Sequence, residues 1–227
     1  MIEYATFCWH ETLQANHALL IVKQIGKLGK KYEVEMNISP AFYITISNAL
    51  VNSTMLQLAK LYDTNQSSVQ IGTLMNQIKS NLDIFPQYRT VLGTDNASSF
   101  EIPLYPQKKF QELSSRKRVL KNVIENLRNI RNKIYAHNDA ITLNSKEEVL
   151  KDYPVSYGDI EQLITFSFDV CDFVLVQLTG VYTKREAVNI NDLEGSLIYI
   201  RLGMKYKDVE VDRDILEFQK KLTEMGI

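Results

Sequence analysis

In the second half of the stretch from Pro106 to His137, apolar residues stand at positions 120, 123, 124, 127, 130 and 134. That is the spacing of a helix packed on one side, and Pro106 suits the first helical position, where a missing N–H costs nothing. A one-sided helix of this length must be covered by other elements. The remaining sequence offers helices for that purpose and almost no strands.

A first helix is expected from about Tyr4 to Lys31, closing near Gly26 and Gly29. A second begins with Ser39 as N-cap and Pro40 in the first turn, and continues to about Asp63. A third fits Ser68–Leu82, followed by a polar, irregular stretch from Asp83 to about Pro106. After a polar loop at Asn138–Pro154, Ser156–Tyr182 reads as a helix that is apolar around much of its circumference. Two short helices, near Asp192–Gly203 and Asp212–Met225, make the tail. Strand signals at Ser99–Leu104 and Lys207–Val211 are too short to build a sheet. The expected architecture is an all-α helical bundle over residues 1–182, with a short helical tail, 183–227, packed on the same domain.

With 227 residues, 45% of them hydrophobic, the chain can bury a core without a disulfide or metal staple. Cys8 and Cys171 stand far apart and form no C-x-x-C pair, which fits a reducing cytoplasm. The most apolar run, Ile160–Tyr182, is interrupted by Glu161, Asp169 and Asp172, so no membrane span is expected. The N-terminus lacks the basic start and apolar run of a signal peptide. A cytoplasmic protein with no membrane partner is the expectation.

Most enzyme signatures are absent, including the P-loop, G-x-G-x-x-G, G-x-S-x-G and H-E-x-x-H. His10 and His17 lie two helical turns apart without further ligands in sequence, so no metal and no cofactor is expected. Charge is more telling in its distribution than in its sum of −1. From Ser114 to His137 seven Lys and Arg face the single acid Glu125, leaving this segment at +6 and the rest of the chain at −7. A basic stretch on an acidic body suits phosphate binding, and it also suits a solvated helix face.

One basic residue breaks the pattern. Leu120, Ile124, Leu127, Arg131 and Ile134 fall on one helical stripe, so an arginine occupies a position reserved for an apolar side chain. In a dry core it would cost several kcal/mol unless paired. Arg131 is therefore either salt-bridged inside the domain or at the floor of a cleft.

Arg131-Asn132, separated by four residues from His137, resembles the R-x(4–6)-H motif of HEPN domains, which are all-α bundles. Leu61-Tyr62-Asp63 closing one helix, then the TNQSSVQIG turn and an apolar helix, is similar to the abortive-infection U-type group of that family. So are Arg131-Asn132-Lys133 and the ending Ala136-His137-Asn138-Asp139. The likeness covers about Thr12–Thr179. Some HEPN toxins carry a tyrosine two residues after the histidine, which a partner nucleotidyltransferase modifies. Asp139 stands there, so that regulation is not carried over.

The resemblance implies a metal-independent endoribonuclease of a phage-defence or toxin–antitoxin type system. Its catalytic residues would be Arg131, Asn132 and His137, with Arg118, Arg128 and Lys133 binding RNA phosphates. An imidazole titrates near neutral pH and can pass the protons of 2′-OH attack. A guanidinium offers a fixed fork of donors to the phosphorane oxygens, and Asn132 can orient either group. Six residues at ~100° each leave Arg131 and His137 ~120° apart on a straight helix. A homodimer, implied by the family, would gather two copies into one cleft. A cognate antitoxin or other partner protein is a further expectation. The competing reading is a non-catalytic HEPN-like module that binds RNA or a partner protein. In it Arg131 pairs with Asp139 or Glu125, and His137 merely ends a helix. A purely structural helical subunit is the third reading.

Overall fold

The computed structural model describes residues 1–64, 69–92, 99–136, 146–185 and 192–224. In chain order these form α1 (Ile2–Gly29), α2 (Glu33–Met36), α3 (Pro40–Leu61) and α4 (Ile71–Ser80). A short 3₁₀ turn, Leu82–Ile84, precedes β1 (Tyr88–Leu92) and β2 (Ser99–Pro103). Then come α5 (Pro106–Val119), α6 (Lys121–Ile130), a π-helical turn (Arg131–Ala136), α7 (Lys146–Asp152), α8 (Tyr157–Thr179) and α9 (Asp192–Glu224). The architecture is all-α, as expected.

The differences from the sequence reading have physical causes. The run expected as one helix from Pro106 bends its hydrogen bonding at Leu120 and widens to a π turn at Arg131. The expected end of that helix, His137, lies outside the described residues. Within the stretch read as irregular, β1 and β2 pair antiparallel from Tyr88↔Pro103 to Leu92↔Ser99. Among the described residues these two strands are the whole sheet. The tail is one helix, not two, because Gly203 costs only ~1 kcal/mol inside a helix and no proline follows it. Lys207–Val211, a strand candidate in sequence, is part of that helix. α7 falls within the stretch expected as a polar loop.

The chain divides into two compact units, one of Met1–Leu19 with Leu50–Ala187 and one of Leu20–Ala49 with Val188–Ile227. In the first, α8 is the central core helix. Its start is fixed by a capping box, in which Ser156 Oγ accepts from the Asp159 N–H and Asp159 accepts from the Ser156 N–H. Its end is fixed by Gly180 at φ 78°, the left-handed conformation that glycine adopts without strain. Arg89 of β1 donates to the Val176 and Gln177 carbonyls there, a cation placed against the helix's negative end. α8 is apolar and long enough to cross a membrane by composition, yet Leu163, Phe166, Phe168, Val170 and Val174 are buried among protein. They pack with Trp9, Leu58, Leu61, Ile71, Leu74, Ile78, Leu127 and Ile130, each large side chain contributing ~1.5–3 kcal/mol. Tyr62 donates its buried hydroxyl to the Leu163 carbonyl at 2.9 Å, which anchors the end of α3 on α8.

The second unit has its own small core, in which Leu193, Leu197 and Ile200 of α9 meet Ile25, Leu28, Tyr32, Met36 and Tyr43. Ion pairs support it. Lys31 Nζ lies 2.6 Å from Glu194, which also accepts from the Tyr32 hydroxyl at 3.0 Å, and Arg201 pairs with Glu35.

Candidate nucleic-acid interface

Burial of Leu127 and Ile130 against the core fixes the rotation of α6, and the next residue inherits it. Arg131 is thereby turned to the edge of the bundle with 29% of its side chain exposed. Its Nη1 donates to Asp63 Oδ2 at 2.5 Å, and Asp63 is itself only 19% exposed. Arg131 is thus salt-bridged within the first unit, and its partner is Asp63. Of the two partners expected from the sequence, Asp139 lies outside the described residues, and Glu125 pairs loosely with Lys121 at 3.8 Å. Asp63 stands just past α3, where the anchored Tyr62 sets its position. The same junction supplies Thr64, whose hydroxyl accepts from Arg128 Nη2 at 2.8 Å. Two arginines three residues apart on one helix face are therefore held by two consecutive residues at the end of another.

The π turn matters for the site. Its hydrogen bonds reach one residue further than those of an α-helix, so the ~100° step assumed in sequence does not hold across Arg131–Ala136. Such turns cluster at functional sites. Asn132 is exposed beside Arg131. Lys133 is exposed too, with Nζ 4.7 Å from the centre of the Tyr153 ring, a cation–π contact that steadies a flexible side chain.

Above the Asp63–Thr64 junction opens a cleft of about 420 Å³, lined by Asp63, Thr64, Gly72, Asn76, Lys117, Lys121 and Arg128 among others. Lys117 sits half-buried in its wall, and desolvation pushes its ammonium below the ordinary lysine value. Arg118 is exposed on the adjoining surface. The structure therefore brings Arg128 and Arg131 together, sets Lys133 and Asn132 next to them, and leaves Arg118 more than two turns upstream. Sequence reasoning assigned no role to Asp63, Thr64 or Lys117. Asp63 had a signal, the Leu61-Tyr62-Asp63 helix ending. Lys117 lay unmarked within the basic run. Among the described residues, no group of three His, Cys, Asp or Glu is close enough to hold a metal ion.

An all-α bundle carrying an arginine pinned by an acid at the end of a neighbouring helix, on a basic helix that runs toward a histidine, is a HEPN-type module. Residues 2–194 match the AbiU2 family of HEPN domains, and the chain belongs to that family, which is one of abortive infection. No curated protein and no solved structure matches the chain.

Proposed function

We propose that the protein is a metal-independent endoribonuclease of a phage-defence or toxin–antitoxin type system, acting on RNA at a composite site formed by a homodimer. The observation that carries this reading is the placement of Arg131, half in and half out of the fold. One of its donors is spent on Asp63, which fixes the guanidinium plane, and a guanidinium has five N–H donors in all. A pre-oriented fork is what charge stabilisation of a phosphorane requires, because no reorganisation is then needed during reaction. His137, Asn132 and a second copy of both complete the proposed site, with His137 passing protons between the 2′-OH and the leaving 5′-oxygen. Arg118, Arg128 and Lys133 bind flanking phosphates. The test is incubation of end-labelled RNA with the purified protein in EDTA. Products ending in 2′,3′-cyclic phosphate are expected, whereas an absolute need for Mg²⁺ or Mn²⁺ would overturn the mechanism.

The same ion pair favours a second reading, a non-catalytic module in which Arg131 only ties α3 to the π turn. That reading expects no cleavage by the wild type, and no difference between it and His137→Ala.

A further inference from the structure

The cleft above Asp63 does not end at Lys117. Asn76, Lys117 and Lys121 also line a second, larger cleft of about 740 Å³, which continues between α4 and α5 to Lys79, Phe110 and Arg118. No carboxylate lines this second cleft among the described residues. The two openings thus make one groove whose floor is a single helical row. Positions 114, 117, 121 and 128 follow at intervals of three, four and seven, so Ser114, Lys117, Lys121 and Arg128 share a face that lines the groove; Glu125 lines it too, and Arg131 follows on the same face just beyond the lining. The row continues across the irregularity at Leu120 with that residue still helical in backbone.

We infer that this groove is the track for a single-stranded RNA segment, which enters past Lys79 and Arg118 and is led along Lys117 and Lys121 to Arg128 and Arg131. The inference deepens the nuclease reading and rests on it for the strand's destination. Three properties support a single strand. The cations are spread along a line rather than gathered at a point, and from Lys117 to Arg131 a helix rises ~21 Å, room for about six stacked nucleotides. Serines and amides alternate with the cations, namely Asn76, Gln111, Ser114 and Ser115, and supply hydrogen bonds to phosphate and sugar oxygens. Phe110, half-buried at the far end, offers a ring on which any base can stack without sequence preference. Lys117 gives the groove a reason to bind anions. Part of its stem is buried, its ammonium lacks a carboxylate partner among the described residues, and its Nζ is 3.7 Å from where a Cβ on Gly72 would stand. A phosphate beside it would restore the charge that desolvation opposes.

The test is fluorescence anisotropy with a 2′-O-methyl RNA 12-mer, which cannot be cut through its 2′ oxygen, so binding is read apart from cleavage. The triple variant Lys79→Gln, Lys117→Gln, Arg118→Gln should weaken binding by about tenfold or more at low salt, and its slope of log K against log salt should shrink by up to ~2. Lys79→Gln with Arg118→Gln, both at exposed positions, gives a smaller loss in the same direction and guards against misfolding at Lys117. Equal affinity of folded triple variant and wild type overturns the groove, even if the wild type cuts RNA. Binding of poly-glutamate but not of the 12-mer overturns it in favour of an acidic protein partner. Groove-dependent binding by a wild type that cuts no RNA supports the groove and removes the nuclease.

Discussion

Asp63 Oδ2 and Arg131 Nη1 are 2.5 Å apart, although 68 residues separate them in sequence. The pair fastens the end of α3 to the first residue of the π turn. Both partners are partly exposed, so the contact is stronger than a surface pair and cheaper to desolvate than a buried one. Asp63→Asn should lower stability by about 1–3 kcal/mol, the range for a charge-assisted hydrogen bond. A double-mutant cycle with Arg131→Gln, read by urea denaturation, should give a coupling energy well above zero. Strict additivity would show that the pair does not hold the fold together.

Removing the proton-transfer group separates chemistry from binding. His137→Ala should cut the cleavage rate by ~10²–10⁴-fold while RNA affinity stays nearly constant, since a neutral imidazole adds little to phosphate binding. Arg131→Ala should lower both, because its charge meets the phosphate in ground and transition states alike. Single-turnover rates beside equilibrium titrations distinguish the two patterns.

Lys133 stands apart from the Asp63 pair, with its ammonium over Tyr153. Lys133→Ala should therefore cost RNA affinity alone, and the loss should fade in high salt as the phosphate attraction is screened. A change in single-turnover rate at saturating RNA would instead put Lys133 among the groups that act on the reacting phosphate.

The second unit should loosen in acid. Hydrogen bonds from Arg201 hold Glu35 below the usual carboxylate range, and Lys31 with Tyr32 does the same for Glu194. A carboxylate depressed on folding contributes stability above its unfolded value, ordinarily near 4.5, and loses it as pH falls through the folded one. Amide exchange in Asp192–Arg201 should therefore accelerate as pH drops below about 4, relative to the trend of an unstructured peptide. Glu35→Gln and Glu194→Gln together should flatten that response.

How far all this was legible in the sequence depends on the range of the interaction concerned. The periodicity of α6 and α8 was readable because each turn repeats a local spacing, and Ser156 and Pro106 mark the starts of α8 and α5. The bundle class, and the arginine out of place in an apolar stripe, followed from the same periodicity. The partner of Arg131 did not, since nothing local relates positions 63 and 131, and the nearer acids Glu125 and Asp139 were the natural candidates. The π turn was hidden as well, because one extra residue in a turn leaves the apolar spacing at Leu127, Ile130 and Ile134 unchanged. Of the β1–β2 pair, β2 coincides with the strand signal at Ser99–Leu104, whereas β1 escaped because its five residues, Tyr88–Leu92, lie in a stretch that reads as irregular.

A composite site makes a demand that a single-chain site does not. If two subunits contribute to one cleft, Arg131→Ala and His137→Ala protein, each inactive alone, should regain activity when mixed and allowed to exchange subunits. The mixed dimer keeps one histidine from the Arg131→Ala chain and one arginine from the His137→Ala chain, so activity should reach a fraction of the wild type and rise with the share of mixed dimers. The protein should also sediment as a dimer at micromolar concentration, and activity should fall on dilution below the dimer's dissociation constant. A monomer at those concentrations, or a mixture as inactive as its parts, would leave each chain to assemble its site alone, and the two-fold mechanism would have to be given up.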